Sequence, residues 1–131
     1  MATRSYIGKM DPNTKVITYI YCHYDGYLSH TGRMLVENYN DESKVDELLN
    51  LGDLSYLDEQ IGEKHDFNKP TPGWTVSYSR DRGQSKSKNQ TYLEDYNVSS
   101  GIDYFYLFTE EGWKYSTGNG WNKIEIEKIE A

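Results

Sequence analysis

The sequence KVITYIYCHY at residues 15–24 predicts the strand around which the rest of the fold is arranged. Successive side chains of a strand point to opposite faces, so every second residue shares a face. One face carries Val16, Thr18, Ile20 and Cys22, and the other carries Ile17, Tyr19, Tyr21 and His23. Because both faces are substantially apolar, we expect a central strand that is covered on both sides, or covered on one side and used for binding on the other.

A β-hairpin and helices are predicted around this strand. Residues 5–10 predict the first strand, and the turn DPNT at 11–14 contains a proline that presets its own φ. From residue 28 the apolar spacing becomes helical, and a second helix is predicted to begin after Asp41 and to end at residues 50–52. A short third helical segment is predicted over 53–61, followed by a loop.

The second half of the chain predicts mostly strands. Residues 74–80 alternate as in a half-buried strand, and the polar run DRGQSKSKNQ at 81–90 predicts a mobile loop or a long hairpin tip with a local basic cluster. Residues 92–96 fit a short strand or one helical turn. Three further strands are predicted at 103–109, 113–116 and 121–127. We therefore expect one α+β domain over 1–131, with two or three helices inserted between an N-terminal hairpin and a C-terminal meander that share an antiparallel sheet.

Composition narrows the class of protein. The 131 residues suit a single domain, and the formal charge of -7 repels duplex nucleic acid. No apolar stretch is long enough to cross a bilayer, and the start MATRSYIGKM does not resemble a secretory signal. With Cys22 as its single cysteine, the chain is expected to be a cytoplasmic protein that needs no disulfide.

Tyrosine is the most unusual feature of the composition. The chain has 13 tyrosines against 3 phenylalanines and 3 tryptophans, an excess that suggests a recognition surface. The C-terminal half mixes aromatic and acidic residues that suit docking to a basic protein groove. The predicted partner-binding residues are Tyr104, Tyr106, Glu110, Glu111, Trp113, Tyr115 and Trp121, with Asp103 beside them. The alternative is an ordinary sheet with charged solvent positions.

The strand-to-helix junction at 22–33 offers a second candidate site. Such a junction presents unpaired backbone N–H groups that suit an anion. The predicted ligand-binding residues for a nucleotide-derived signal are Arg4, His23, Asp25, Tyr27 and Arg33. The alternative is that His23 and Asp25 hydrogen-bond locally to fix the turn and that Gly26 only supplies a permissive φ. A metal site is not expected, because the adjacent Cys22 and His23 point to opposite faces and no metal-binding spacing is present.

A non-enzymatic protein is predicted, with a small hydrolase acting on such a signal as the alternative, and no cofactor is predicted. Neither Cys22 with His23 nor Ser29 with His30 can face each other from adjacent positions, and the chain has no nucleophile-elbow motif. The basic cluster of Arg80, Arg82, Lys86 and Lys88 could clamp phosphate, with Tyr92 stacking on a base, or could simply be solvated.

Four segments resemble a family of small bacteriophage and prophage proteins. They are MATRSYIG at 1–8, IYCHYDGYLSHTGRML at 20–35, VENYNDESKVDELLNLGDLSYL at 36–57 and YSRDRG at 78–83. The resemblance covers about residues 1–83 and includes the block Tyr-Cys-His-x-Asp-Gly-Tyr and the block Leu-Gly-Asp. It implies an accessory protein that acts in the cytoplasm of a bacterial host, where small acidic phage proteins often bind and disable host factors such as CRISPR effectors.

We therefore expect a non-enzymatic inhibitor that binds a host antiviral or nucleic-acid-handling protein through an acidic, tyrosine-rich surface. The alternative is a protein that sequesters a nucleotide-derived immune signal at the junction. Neither membrane nor duplex nucleic acid is an expected partner, and a homodimer is possible by general prevalence.

Overall fold

Eight strands of the described chain form one mixed sheet. The computed structural model describes residues 3–98, 100–118 and 120–125. The strands are β1 (Ser5–Met10), β2 (Val16–Cys22), β3 (Leu54–Tyr56), β4 (Val76–Ser77), β5 (Asn89–Tyr92), β6 (Tyr104–Thr109), β7 (Gly112–Ser116) and β8 (Asn122–Lys123). Their order is β4-β3-β2-β1-β6-β7-β8, and β5 also pairs with β2.

Short helices connect the strands. A π-helical turn at Leu28–Gly32 runs into α1 (Arg33–Asn38), and α2 spans Glu42–Leu49. The Asp41 side chain caps α2 by accepting a hydrogen bond from the backbone N–H of Lys44, which fixes the predicted start of this helix. The two later helices are α3 (Tyr78–Arg82) and α4 (Leu93–Tyr96).

The α+β class is confirmed, with helices between an N-terminal hairpin and a C-terminal meander. The sheet predicted to be antiparallel is mixed, because β1 pairs with β6 and β2 pairs with β3 in parallel. The reason lies where the meander begins. The backbone N–H of Asp103 donates to the Arg4 carbonyl (2.9 Å), and the Arg4 N–H donates to Asp103 Oδ2 (3.0 Å). Both chain segments therefore enter the sheet from the same end.

The sheet has a buried cluster on each face, as the sequence of β2 predicts. Helices α1 and α2 cover one face, and the cluster there includes Ile20, Cys22, Leu35, Val45 and Leu48. The opposite face has a smaller cluster of Ile17, Tyr96, Phe105 and Leu107. Tyr19 is only partly buried against this second cluster. Cover is therefore more extensive on the helix side, where Ile20 and Cys22 have no exposed area, than on the other side.

The helical prediction for residues 53–61 is wrong, since Leu54–Tyr56 form β3. The backbone N–H groups of His23 and Tyr24 donate to the carbonyls of Leu54 and Ser55 at 3.0 and 2.9 Å. The edge of β2 thus supplies backbone partners that a propensity for helix cannot match.

Three other boundaries differ from prediction. The strand predicted at 74–80 ends at Ser77, whose side chain accepts a hydrogen bond from the Arg80 N–H and so begins α3. The loop predicted at 81–90 ends with the first residues of β5, and the helical alternative for 92–96 is confirmed by α4. Within the predicted strand 121–127, β8 spans Asn122–Lys123, and Ile126 and Glu127 lie outside the described residues.

Candidate functional site

The sheet face opposite α1 and α2 carries a connected series of aromatic rings. Ring centroids lie 4.7 Å apart for Tyr6 and Tyr19, 6.5 Å for Tyr6 and Tyr21, and 4.5 Å for His23 and Tyr24. Tyr24 is 49% exposed, and the other rings are partly buried. We call this surface the tyrosine face and define it as Tyr6, Tyr19, Tyr21, His23, Tyr24 and Tyr78, the last of which interacts electrostatically with Tyr21 and Tyr24.

Strand alternation and the hairpin register assemble the tyrosine face. Odd-numbered residues of β2 point to this side, and Tyr6 of β1 lies directly opposite Tyr21. One end of the face is covered, because Tyr19 lies 5.3 Å from the buried ring of Tyr96, which stacks on Trp121 at 5.9 Å. The other end, at His23 and Tyr24, has no such cover among the described residues.

Burial favours the protonated form of two hydroxyl groups of the face, those of Tyr19 and Tyr21. Burial raises the pKa of Tyr19, and burial also raises that of Tyr21 although the nearby Arg4 opposes it. The Tyr21 hydroxyl lies 2.6 Å from Nδ1 of His23, so this ring is held in place by its neighbour on the same strand. The face therefore combines flat apolar area with polar tips.

The two other histidines serve the structure. Nε2 of His30 donates to the Leu57 carbonyl at 2.7 Å. The backbone N–H of Thr71 donates to Nδ1 of His65 (2.9 Å), so Nε2 of His65 carries the hydrogen and faces Asp81 Oδ2 at 3.2 Å. A general base needs a free lone pair, and His65 has none.

The predicted basic cluster is largely absorbed by internal contacts. Arg80 donates from Nε to Asp81 Oδ1 (2.9 Å) and from Nη1 to the Ile61 carbonyl (2.8 Å), which ties the loop before β4 to α3. Arg82 lies over the Phe67 ring at 5.0 Å. Lys88 donates to Asn50 Oδ1 at 2.9 Å. A phosphate clamp would need these groups to converge on one point, and they do not.

The Asp81 carboxylate is the centre of this network. Its side chain is fully buried, which raises the pKa, but hydrogen bonds from Arg80 and from the backbone N–H groups of Ser77 and His65 outweigh burial and lower the pKa of Asp81. The network holds α3 and the loop at 61–75 in place.

The strand-to-helix junction is filled by its own neighbours. Asp25 has a positive φ of 55°, which an aspartate tolerates better than most residues. The Tyr106 hydroxyl donates to the Gly26 carbonyl (2.7 Å), and Thr31 Oγ1 donates to the Asp25 carbonyl (2.8 Å). A Cβ atom on Gly26 would lie 2.7 Å from the Ser5 hydroxyl oxygen. The contacts that fix this turn therefore come from Tyr106 and Thr31, and the positive φ lies at Asp25 and not at Gly26.

The predicted ligand-binding residues do not share one pocket. Arg4 and His23 lie on the side of the tyrosine face, where Arg4 influences the Tyr21 hydroxyl. On the helix side, Tyr27 contacts the His30 ring at 6.3 Å, and Arg33 pairs with Glu37 at 3.4 Å. Asp25 lies in the turn that connects His23 to Tyr27. The adjacent Cys22 is buried, which raises the pKa of its thiol to about 12 and makes it a poor nucleophile.

The predicted partner-binding residues of the C-terminal half are also divided, and two of them are buried. Tyr106 has no exposed area and Trp113 is 4% exposed, with its Nε1 donating to the Tyr39 carbonyl at 2.8 Å. These two rings face the helices, so they cannot anchor a partner.

The remaining predicted residues lie apart from one another. Tyr104 and Tyr115 pack against the helix-side core, Trp121 lies on the opposite face, and Glu110 and Glu111 are exposed in the turn between β6 and β7. Glu111 pairs with Lys114 at 2.9 Å. Sequence reasoning missed Tyr6, Tyr24 and Tyr78, although the alternation of β2 and the pairing of the hairpin pointed to Tyr6.

Two open clefts elsewhere on the described surface are lined by groups that already have partners. A cleft of about 780 Å³ includes His65, Asp81 and Arg82. A cleft of about 690 Å³ includes Lys9 and Asp46, whose Nζ and Oδ1 atoms lie 2.9 Å apart.

Comparisons with known proteins give no family assignment. No protein-family model, curated protein or solved structure matches the chain. Among the described residues, no helix is both long and apolar enough to cross a membrane. No group of three or more histidine, cysteine or acidic side chains in that part of the chain is arranged to hold a metal ion.

Proposed function

We propose that this chain is a non-enzymatic inhibitor that binds a host antiviral or nucleic-acid-handling protein, with the tyrosine face as its anchor. The single observation that carries the proposal is the run of ring contacts from Tyr19 to Tyr24, which ends in a ring that is 49% exposed. Tyrosine is enriched at the energetic centres of protein interfaces, where it supplies area at low entropic cost.

Charge supports a basic partner. The net charge of -7 favours approach to a positively charged surface and disfavours nucleic acid itself. A groove that binds nucleic acid is such a surface on a defence protein. The resemblance of residues 1–83 to phage proteins supports the same setting.

The chemistry of the nucleophile and base candidates supports binding rather than catalysis. His65 has both ring nitrogens engaged, and the Cys22 thiol is buried with its pKa raised to about 12. The sequestering alternative would need His23 and Arg33 to share a pocket, whereas His23 lies beside Tyr21 on the tyrosine face and Arg33 pairs with Glu37 in α1.

The test is an inhibition titration with defined targets. Purified chain is titrated into a guide-loaded CRISPR effector and, in parallel, into a restriction enzyme, each cleaving a labelled DNA duplex. Inhibition of a target is expected to be complete at a fixed molar ratio, and the association rate is expected to fall as salt increases. Inhibition of many effector molecules by one chain would indicate an enzyme and overturn the proposal.

Variants assign the surface. Tyr24→Ala is expected to weaken binding roughly 30-fold, the effect of losing an interface anchor. Tyr92→Ala is the matched control, because Tyr92 is 55% exposed and lies outside the tyrosine face. Equal affinity of the Tyr24→Ala variant and the unsubstituted chain for the inhibited target would exclude this face as the anchor.

A further inference from the structure

Strand β5 leaves one of its two edges open. It pairs with β2 on one side and continues into α4, and no strand of the described chain pairs with its other side. Its four residues make it longer than β4 and β8, which have two residues each. Unpaired edges of this kind are templates for another strand, and β5 has no proline or bulge that would block one.

The hydrogen bonds of β2 show which backbone groups of β5 face outward. The Tyr21 N–H donates to Asp53 Oδ1 at 2.9 Å, so it points to the edge of β2 that β3 and β5 share. Backbone groups of alternate residues point to the same edge of a strand. Those of Ile17 and Tyr19 therefore point to β5.

The register then divides β5 into inner and outer residues. Ile17 pairs with Thr91 and Tyr19 pairs with Asn89, so these two residues of β5 bond to β2. The backbone N–H groups of Gln90 and Tyr92 point away from the sheet. Neither N–H has a backbone partner among the described residues, and both residues are exposed.

The charges on either side of β5 select the direction of an added strand. Lys86 and Lys88 precede the strand, and Glu94 and Asp95 follow it; all four residues are exposed. A second copy in antiparallel orientation brings the basic end of each strand to the acidic end of the other. A parallel copy would place like charges together, which is unfavourable.

We propose that a second copy of this chain adds to β5 in antiparallel orientation, with Gln90 on the twofold axis. Each Gln90 N–H donates to the Gln90 carbonyl of the other copy, and each Tyr92 N–H donates to the Lys88 carbonyl opposite. Lys86, which precedes the strand, then lies at the end of the other copy's strand where α4 begins with Glu94. The two sheets join into one, and this contact is independent of the proposed inhibitory function because it uses none of the six residues of the tyrosine face.

The test is sedimentation equilibrium of the full chain over a series of concentrations. A concentration-dependent dimer is expected. Gln90→Pro removes the N–H at the twofold axis and keeps the bonds to β2, because proline is tolerated where the N–H points outward. The dissociation constant of the dimer should rise roughly 30-fold, since two symmetry-related hydrogen bonds are lost. Gln90→Ala keeps both N–H groups and is the matched control.

A charge exchange tests the orientation without disturbing the strand. Glu94→Lys should raise the dissociation constant roughly 10-fold, and adding Lys86→Glu should restore the dimer. A monomer at every concentration up to the solubility limit would overturn the proposal. A dimer that neither Gln90→Pro nor Glu94→Lys weakens would overturn it as well, and the charge exchange keeps the test decisive if the proline variant fails to fold.

Discussion

The two faces of the central hairpin use the same strands and reach opposite outcomes. On the helix side, Ile7, Leu48 and Tyr106 have no exposed area, and the Tyr106 hydroxyl bonds to the backbone inside the protein. On the tyrosine face, the rings of Tyr21 and Tyr24 contact each other through His23 and keep part of their surface in water. Packing buries these side chains on the helix side, whereas the rings of the tyrosine face keep exposed area.

Residue type alone does not identify a binding tyrosine. The 13 tyrosines include fully buried ones such as Tyr39 and Tyr106, and others such as Tyr24 that are half exposed. Burial raises the pKa of Tyr39 to about 12, and its hydroxyl donates to the Asp58 carbonyl at 2.6 Å. A buried tyrosine whose hydroxyl donates to a backbone carbonyl belongs to the fold, whereas a half-exposed ring such as Tyr24 is available to another molecule.

Truncating one side chain on each face tests whether the two faces contribute differently to the free energy of unfolding. Leu48→Ala, on the helix side, should lower the free energy of unfolding by about 2–5 kcal/mol, because it leaves a cavity in a closed core. Tyr24→Ala should lower it by less than about 1 kcal/mol. Urea denaturation followed by circular dichroism measures both, and equal losses would contradict the distinction between the faces.

The buried Asp81 carboxylate tests how much a paired charge, rather than an apolar side chain, contributes to the free energy of unfolding. Asp81→Asn leaves the Arg80 guanidinium without its counter-charge and should cost about 3 kcal/mol at neutral pH. Because the pKa of Asp81 is lowered in the folded state, its contribution to stability is present above the unfolded pKa and disappears as the pH falls through the folded value.

Urea denaturation of the two proteins from pH 7 to pH 2 measures this contribution. The difference in stability between Asp81→Asn and the unsubstituted chain should shrink at the acidic end of that series. A difference that stays constant would show that the Asp81 charge does not matter.

Removing one hydroxyl group from each face tests how much each hydroxyl contributes to stability. Tyr106→Phe leaves the buried Gly26 carbonyl without a partner and should cost about 1–3 kcal/mol. Tyr21→Phe, on the tyrosine face, should change the free energy of unfolding by less than about 0.5 kcal/mol. Thermal and urea unfolding of the two variants measure these changes. A large loss of stability in Tyr21→Phe would show that the Tyr21 hydroxyl serves the fold and not the binding surface.

Asp53 should give the smallest effect, and one of opposite sign to that of Asp81. Burial raises the pKa of Asp53 although the Tyr21 N–H donates to it, so the charged form is disfavoured in the folded state. The unsubstituted chain should therefore gain stability as the pH falls from the folded pKa to the unfolded one.

Asp53→Asn keeps an oxygen that accepts from Tyr21 and should remove this gain, while changing stability at pH 7 by less than about 1 kcal/mol. Parallel urea titrations of the two proteins measure the slope. A loss of stability on acidification in the same window would show that Asp53 is stabilised as a carboxylate.

Local patterns predicted the parts of the fold that depend on neighbouring residues. The hairpin, α2 and the C-terminal meander follow from strand alternation, the turn at 11–14 and the cap at Asp41, all within a few residues. The strand β3 did not follow, because its partner in β2 lies about 30 residues away in the sequence. The start of α3 had a local signal, since Ser77 is a good cap and Gly83 ends the helix in the left-handed region.

The candidate site was predicted only in kind. A tyrosine-rich surface was expected, but the residues chosen for it include Tyr106 and Trp113, which are buried. Alternation shows which side chains share a face and does not show which face the helices cover. The parallel register of β1 with β6 settles that, because it places Tyr106 beside Ile7 in the closed core.

The hydrogen bond that links the Tyr21 N–H to the Asp53 carboxylate divides one edge of β2 into two separately paired parts. Strand β5 occupies one side of that link and β3 the other, and the two share no ladder of their own. Such a seam separates cooperative units, because hydrogen bonds on one side can open while those on the other stay closed. The amides of β5 should accordingly exchange with deuterated solvent sooner than those of β1, which has a neighbour along both of its edges.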